Sequence, residues 1–391
     1  MNQSFHSSSY PGDITDCYDP ELDTDPLCCC EYYDRNAARN HILACCCNCT
    51  DVDESFDRFI SGRPVPVDKQ RGMLLTFQDR IRIPWRGGAK QITVDNVLPV
   101  VLLVALQLLA AVDFYCSLVI FTALPVLLAY LKRFLGRVLP KTKFFSLWLF
   151  WSGIYLVILF ESTVPLLELL PEENLAFVLL MSLSFFCFYK TNQRATQNHV
   201  GQPATGFKDE SAANGDSQTA ILISDREDSD ESDGRLACQA CRKYVPPRTY
   251  HCKVCGTCIV KQDQHSVWLN CCVGRSNHRF FLAGSFCSLL ALWLFANLSL
   301  TSVCHPTPIF TLFGVTVMLP DDCSDIYFQY DIALCFTGAI YALLMSLFIL
   351  ISLLKQSCLI SRGFTGTEWQ RGEHINRRNC LVNWKMFCMG Q

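Results

Sequence analysis

The residues best equipped for chemistry crowd into one stretch. From position 238 the chain reads Cys238-x2-Cys241, then His251-Cys252-x2-Cys255-x2-Cys258, then His265 and Cys272. Cysteines two residues apart can share a tight turn and aim both thiolates at one tetrahedral ion, which is how structural zinc sites are built. Six cysteines and two histidines are enough for two closed Zn2+ sites of Cys3His type. Packing these cysteines as small hydrophobes fits poorly, because the segment holds little apolar material. Arg242, Lys243, Pro246, Pro247, Arg248, Lys253 and Lys261 surround them instead.

Such a module needs a scaffold, and the composition says what kind. Of 391 residues, 50% are hydrophobic and only 18% charged, against about 25% charge in an ordinary globular chain. The apolar residues fall in blocks rather than stripes. Phe280–Val303 and Ile332–Leu354 carry no charge, and each is long enough to cross a hydrocarbon core about 30 Å thick. Val97–Leu131 has one charge, Asp113, and is too long for a single crossing, so two helices turning near Asp113 are expected. Phe144–Phe160 is a third span and Leu175–Tyr189 a short fourth, for six in all, with four or five as alternatives.

Charge placement supports the count of six. Arg80, Arg82, Arg86 and Lys90 precede the first block, and Lys132, Arg133, Arg137, Lys141 and Lys143 follow the second. Glu161–Asn174 and Cys304–Gln329 contain no Lys or Arg, and the tail is basic again. The positive-inside rule then puts both termini and the loop holding the cysteines in the cytosol. A net charge of -3 leaves no basic footprint for nucleic acid. No apolar signal segment occupies residues 1–26, so the 24 cysteines read as reduced thiols, metal ligands or lipidation sites rather than a disulfide scaffold.

The run from Cys238 to Phe280, with Trp268-Leu269-Asn270-Cys271-Cys272-Val273-Gly274 and Asn277 near its end, resembles the cysteine-rich domain of DHHC-type protein S-acyltransferases, or palmitoyltransferases. Thr365-Gly366-Thr367-Glu368 resembles the family's TTxE motif with Gly366 in the second Thr position, and Asn383-x3-Phe387 resembles its C-terminal NxxxF element. The resemblance implies that Cys238, Cys241, His251 and Cys258 hold one zinc, and Cys252, Cys255, His265 and Cys272 the other. It implies a long-chain acyl-CoA such as palmitoyl-CoA as substrate or ligand, and Trp268, Thr365 and Glu368 near the reaction site. It also implies protein clients with cytosolic cysteines, oligomers with homologues, and a Golgi or endoplasmic reticulum membrane.

The name-giving tetrapeptide departs from the pattern. It reads Asp263-Gln264-His265-Ser266, where the family has Asp-His-His-Cys. The family's cysteine takes the acyl group, its first histidine, oriented by the aspartate, serves as base, and its second binds zinc. Here the aspartate and all metal ligands remain, while nucleophile and base are replaced. Glutamine cannot accept a proton, and a serine hydroxyl needs a base more than a thiol does. Loss of general base catalysis alone costs on the order of 100- to 10,000-fold. Three readings follow: a catalytically silent pseudoenzyme, a transferase with residual activity through the spare thiol of Cys271, and a non-catalytic adaptor binding acyl-CoA, clients or active homologues.

The expected architecture is an all-α polytopic membrane protein of about six transmembrane helices with a small cytosolic two-zinc domain. Its segments are a cytosolic region over 1–96, four spans within 97–189, an acidic disordered linker over 190–237, the zinc module over 238–279, two spans within 280–354 and a cytosolic tail over 355–391. Cys28, Cys29, Cys30, Cys45, Cys46 and Cys47 cluster near the inferred membrane face. S-acylation of this cluster is expected, a third metal site and unmodified thiols being the other readings.

Overall fold

The computed structural model describes residues 28, 30–33, 39–42, 50–86, 88–163, 171–200, 236–312, 315–372 and 379–390. Cys29, Cys45, Cys46 and Cys47 lie outside them, as does most of the acidic segment, residues 201–235. The chain divides into two compact units, Met1–Thr93 and Val94–Gln391.

The first unit contains strands β1 (Glu31–Tyr33) and β2 (Arg39–His41), helices α1 (Thr50–Ile60) and α2 (Val67–Arg80), and the short ribbon of β3 (Arg82–Ile83) and β4 (Lys90–Gln91). Both strand pairs are antiparallel. Arg82 ties this unit together: its guanidinium pairs with Asp79 at 2.5 Å and stacks 3.9 Å above the Tyr32 ring.

The second unit is a helical bundle carrying an insert of short, cysteine-rich hairpins. Its helices α3 (Val94–Ala110), α4 (Phe114–Val138), α5 (Phe144–Thr163), α6 (Pro171–Gln193), α7 (His278–Val303) and α8 (Tyr330–Arg362) are the six expected apolar segments. Five of them are long and apolar enough to cross a membrane; the sixth, α3, has 17 residues, about 26 Å at 1.5 Å per residue. The turn expected near Asp113 is present, and Asp113 itself caps α4 by accepting from the Tyr115 N–H at 3.1 Å. The short fourth span proves longer than Leu175–Tyr189, because polar residues extend α6 at both ends beyond its apolar core.

The bundle packs through aromatic and small side chains. Phe160, Phe177 and Phe295 bring α5, α6 and α7 together with ring centroids 4.4–5.8 Å apart. A Cβ on Gly284 would come within 2.9 Å of the Phe188 ring, so α6 and α7 need glycine there to approach this closely. Trp148 donates its indole N–H to the buried Tyr341 hydroxyl at 3.0 Å, and Ser152 lies 2.6 Å from the same oxygen, tying α5 to α8. Outward-facing Val101, Leu109, Val119 and Val126 are exposed, the arrangement expected when lipid is the solvent.

Between α7 and α8, strands β11 (His305–Leu312) and β12 (Val315–Asp322) form a hairpin closed at its base by a Cys304–Cys323 disulfide. This pair corrects the expectation of reduced thiols throughout. Cysteines 19 apart in sequence meet because the hairpin returns the chain to its start. The tail forms α9 (Gly366–Arg371) and α10 (Cys380–Met389).

Candidate metal centre and reaction site

Six short strands between α6 and α7 build the site: β5 (Leu236–Cys238) with β6 (Lys243–Val245), β7 (Thr249–Cys252) with β8 (Thr257–Val260), and β9 (Gln264–Ser266) with β10 (Cys271–Val273). Side chains alternate across a strand, so neighbouring residues face opposite ways. That alternation separates His251 from Cys252. His251 is paired across the ladder with Cys258, and the two share a face, while Cys252 points away. In the third hairpin His265 is paired with Cys272 in the same manner.

Two clusters result: Cys238, Cys241, His251 and Cys258, and Cys252, Cys255, His265 and Cys272, the ligand atoms of each lying within 4.8 Å of one another. The imidazoles present Nδ1. It lies 3.1 Å from Cys241 Sγ in the first cluster, and 3.4 and 3.5 Å from Cys255 and Cys272 Sγ in the second. Tetrahedral bonds of 2.0–2.3 Å separate ligand atoms by about 3.3–3.8 Å, so both clusters are compatible with zinc. The residues after the Cys238–Cys241 and Cys252–Cys255 turns, Arg242 and Gly256, adopt a left-handed backbone with φ of 49° and 70°. That reversal returns the chain from the turn into the next strand.

The departing residues occupy the other face of the third hairpin. Gln264 pairs with Val273 and Ser266 with Cys271 across the ladder. Ser266 and Cys271 are both buried. Burial pushes the Cys271 thiol up to about 12.

Asp263, almost wholly enclosed, is held from elsewhere. Gln356 Nε2 on α8 donates to its Oδ2 at 2.7 Å, the Gly366 N–H donates to Oδ1 at 2.7 Å, and the Thr367 hydroxyl donates to its carbonyl at 3.0 Å. A Cβ at position 366 would stand 2.7 Å from the Asp263 carbonyl oxygen, so the glycine in the TTxE-like motif lets the tail approach this closely. Gln356 also accepts from His278 Nε2 at 3.0 Å.

Thr365 and Glu368 form a capping box at the start of α9. Glu368, fully buried, receives Arg248 through two bonds of 2.6 and 2.8 Å. Asn383 donates to the Ser361 carbonyl at 2.9 Å, and the Phe387 ring meets His278 edge-on at 5.0 Å. Trp268 packs edge-on against Phe145, with centroids 5.3 Å apart. These predicted residues therefore join the zinc module to the helices and tail.

Sequence reasoning missed Gln356, His278 and the pairing of Arg248 with Glu368. Gln356 does stand out as an amide just past the uncharged run ending at Leu354, but its partner is 93 residues away. Also missed is a cleft of about 420 Å³ beside the module, lined by Arg248, Lys261, Arg275, His278, Arg279 and the tail residues Asn383 and Phe387. A second, apolar cavity of about 50 Å³ lies among α5, α6, α7 and α8, beside Ser152, Gly153, Ser184, Leu292 and Tyr341.

The pattern of known proteins agrees with this geometry. The DHHC palmitoyltransferase family matches residues 231–373. Palmitoyltransferase ZDHHC23-B of Danio rerio is 32% identical over 365 residues, covering 88% of this chain and 84% of its own length. Palmitoyltransferase ZDHHC23 of Homo sapiens is 30% identical over 384 residues, covering 90% of this chain and 91% of itself. Palmitoyltransferase ERF2 of Eremothecium gossypii shares 52% identity over a shorter stretch of 58 residues, 15% of this chain and 16% of its own. With paired Cys3His clusters set between membrane-length helices and likeness along nearly its whole length, the chain belongs to the DHHC palmitoyltransferase family.

Proposed function

We propose that this protein binds long-chain acyl-CoA as its palmitoyltransferase relatives' names imply, but with S-acyl transfer lost or strongly impaired, and that it serves as a membrane adaptor for acyl-CoA, client proteins or active homologues. The observation that carries this reading is the reacting face of the third hairpin. It bears Gln264, Ser266, Cys271 and Val273, and none of these is a base near neutral pH. Attack on a thioester needs a nucleophile relieved of its proton. A serine hydroxyl is not ionised unaided, and the Gln264 amide cannot take the proton. His265 belongs to a zinc cluster. The Asp263 carboxylate, whose family role is to orient the missing base, is engaged by Gln356 and Gly366 instead.

Ligand binding needs none of the lost groups. The cationic cleft suits the phosphates of coenzyme A, since guanidinium groups bind phosphate oxygens bidentately. The apolar cavity among the four helices, at about 50 Å³, would take only the end of the acyl chain. Zinc, bound by the two clusters, would order the hairpins that connect these two sites. Both termini and the zinc module lie on the cytosolic side of a Golgi or endoplasmic reticulum membrane, and residues 194–235 link α6 to the module. The Cys304–Cys323 disulfide supports this orientation, because it closes a connection expected on the oxidising side. S-acylation of the Cys28–Cys30 and Cys45–Cys47 groups belongs to the same reading.

The test uses purified full-length protein, labelled palmitoyl-CoA and a client thiol. The expected result is saturable binding with no hydroxylamine-sensitive label and no transfer. Ser266→Cys should then acquire label slowly, and adding Gln264→His should raise its rate on the order of 100-fold or more. Transfer by the unaltered protein at a rate matching the restored variant would overturn the proposal. Residual transfer that vanishes in Cys271→Ala would establish the second reading, in which that thiol carries the acyl group.

A further inference from the structure

The ribbon of β3 and β4 has one apolar face for which the described residues supply no cover. Ile81, Ile83 and Trp85 alternate with Arg80, Arg82, Pro84 and Arg86, so the extended backbone sends the three apolar side chains to the same side. All three are exposed, at 45%, 49% and 58%. The ladder fixes this arrangement: Ile92 N–H donates to the Ile81 carbonyl at 2.9 Å, and Ile83 pairs with Lys90. Lys90 shares the apolar face, its ammonium 5.4 Å from the Trp85 ring centre. The opposite face is occupied internally, with Arg82 held by Asp79 and Tyr32.

We infer that this ribbon docks on the anionic surface of the membrane that the helices span. Two observations select a bilayer. The segment from Phe77 to Thr93 carries four bases, Arg80, Arg82, Arg86 and Lys90, against one acid, Asp79. The ribbon also ends at Gln91, so the chain enters the apolar helix α3 at Val94 within a few residues. Interleaved aromatic, branched and basic side chains next to a span match the membrane interface, where indole rings settle at headgroup level and Lys stems lie along apolar surface. Helix α1 offers a useful contrast. Its exposed Phe56, Phe59 and Ile60 form an apolar face beside the exposed Asp57, which an anionic surface would repel.

The test is face-specific photocrosslinking in the full-length protein, reconstituted in discs of phosphatidylcholine and phosphatidylserine. A benzophenone amino acid replaces Ile83 in one preparation and Gln91 in another. Gln91 pairs with Arg82 and so belongs to the opposite face. Phospholipid adducts should form at position 83 and not at 91, and Lys90→Gln should lower the yield about fivefold. Brominated lipid should also quench the emission that distinguishes the unaltered protein from Trp85→Phe, a readout that needs no crosslinker. Adducts at position 83 with protein, equal lipid adducts at both positions, or a Trp85 emission untouched by brominated lipid would each overturn the inference.

Discussion

The two faces of the β9–β10 hairpin differ in what holds them to their residues. On one, His265 and Cys272 face each other and complete a metal cluster with Cys252 and Cys255. On the other, Gln264 and Ser266 hold the positions that the resemblance assigns to base and nucleophile, and Cys271 pairs with Ser266 across the ladder. The metal face is part of folding, because small cysteine-rich modules lacking an extensive apolar core depend on coordination for their stability. The other face offers no metal ligand, and its Cys271 and Val273 pack instead into an apolar cluster with Ala195, Leu269 and Phe281. Under the function proposed above, a single ladder of three residue pairs keeps one role while losing the other, with no change of backbone register.

The most forceful way to break this comparison is to remove one metal ligand. Structural zinc is worth about 10–16 kcal/mol in zinc-finger peptides, as much as the whole stability of an ordinary domain. Cys272→Ala should lower bound zinc from two ions per chain to one, measured by elemental analysis, and expose the second hairpin pair to rapid amide exchange. Ser266→Ala should keep both ions and change stability by less than about 1 kcal/mol. Two retained ions in Cys272→Ala, or metal loss in Ser266→Ala, would dissolve the distinction between the faces.

A smaller effect sharpens the comparison at the motif after α8. Thr365 and Glu368 were expected near the reaction site, yet Glu368 is enclosed and receives the Arg248 guanidinium from the zinc module. Removing one partner of a buried ion pair costs about 3–5 kcal/mol, and the low end applies because Arg248 is one-third exposed. Glu368→Gln should lower the melting temperature clearly, whereas the double replacement Arg248→Met with Glu368→Leu should recover part of the loss. If Glu368→Gln melts like the unaltered protein, the motif owes its residues to something other than this junction.

These outcomes follow how legible each region was. The metal ligands could be read because their chemistry and spacing are local, and the ladder register then explains why adjacent His251 and Cys252 join different clusters. The helices were visible as uncharged blocks, and Asp113 marked the turn between the first two because a carboxylate favours a helix start. Helix ends were less legible, since α6 runs past its apolar core into polar residues. The Asp263–Gln356 bond and the cationic cleft left no local pattern at all. They arise from residues far apart in sequence, brought together only when the tail folds back onto the module. The Cys304–Cys323 bridge was hidden for the same reason, its pairing depending on a hairpin that composition does not announce.

The subtlest test concerns Cys271, the one sulfur on the reacting face. Burial pushes its thiol up to about 12, so at pH 8 roughly one molecule in ten thousand carries the thiolate that alkylating reagents attack. Peptide-resolved labelling with iodoacetamide should find Cys271 the slower partner of exposed Cys358 and Cys388. Its rate should climb about tenfold per pH unit from pH 8 to 11 without levelling. The sign for stability is the same. The folded state keeps the proton longer than the unfolded chain, whose thiol ionises near its ordinary value of 9, so stability attributable to this group is constant below about pH 9 and falls as pH rises toward 12. A labelling rate that levels off below pH 9 would mean an accessible, activated thiol beside Ser266. The reacting face would then hold a nucleophile after all, and the contrast between the two sides of the hairpin would shrink to a change in which residue bears the sulfur.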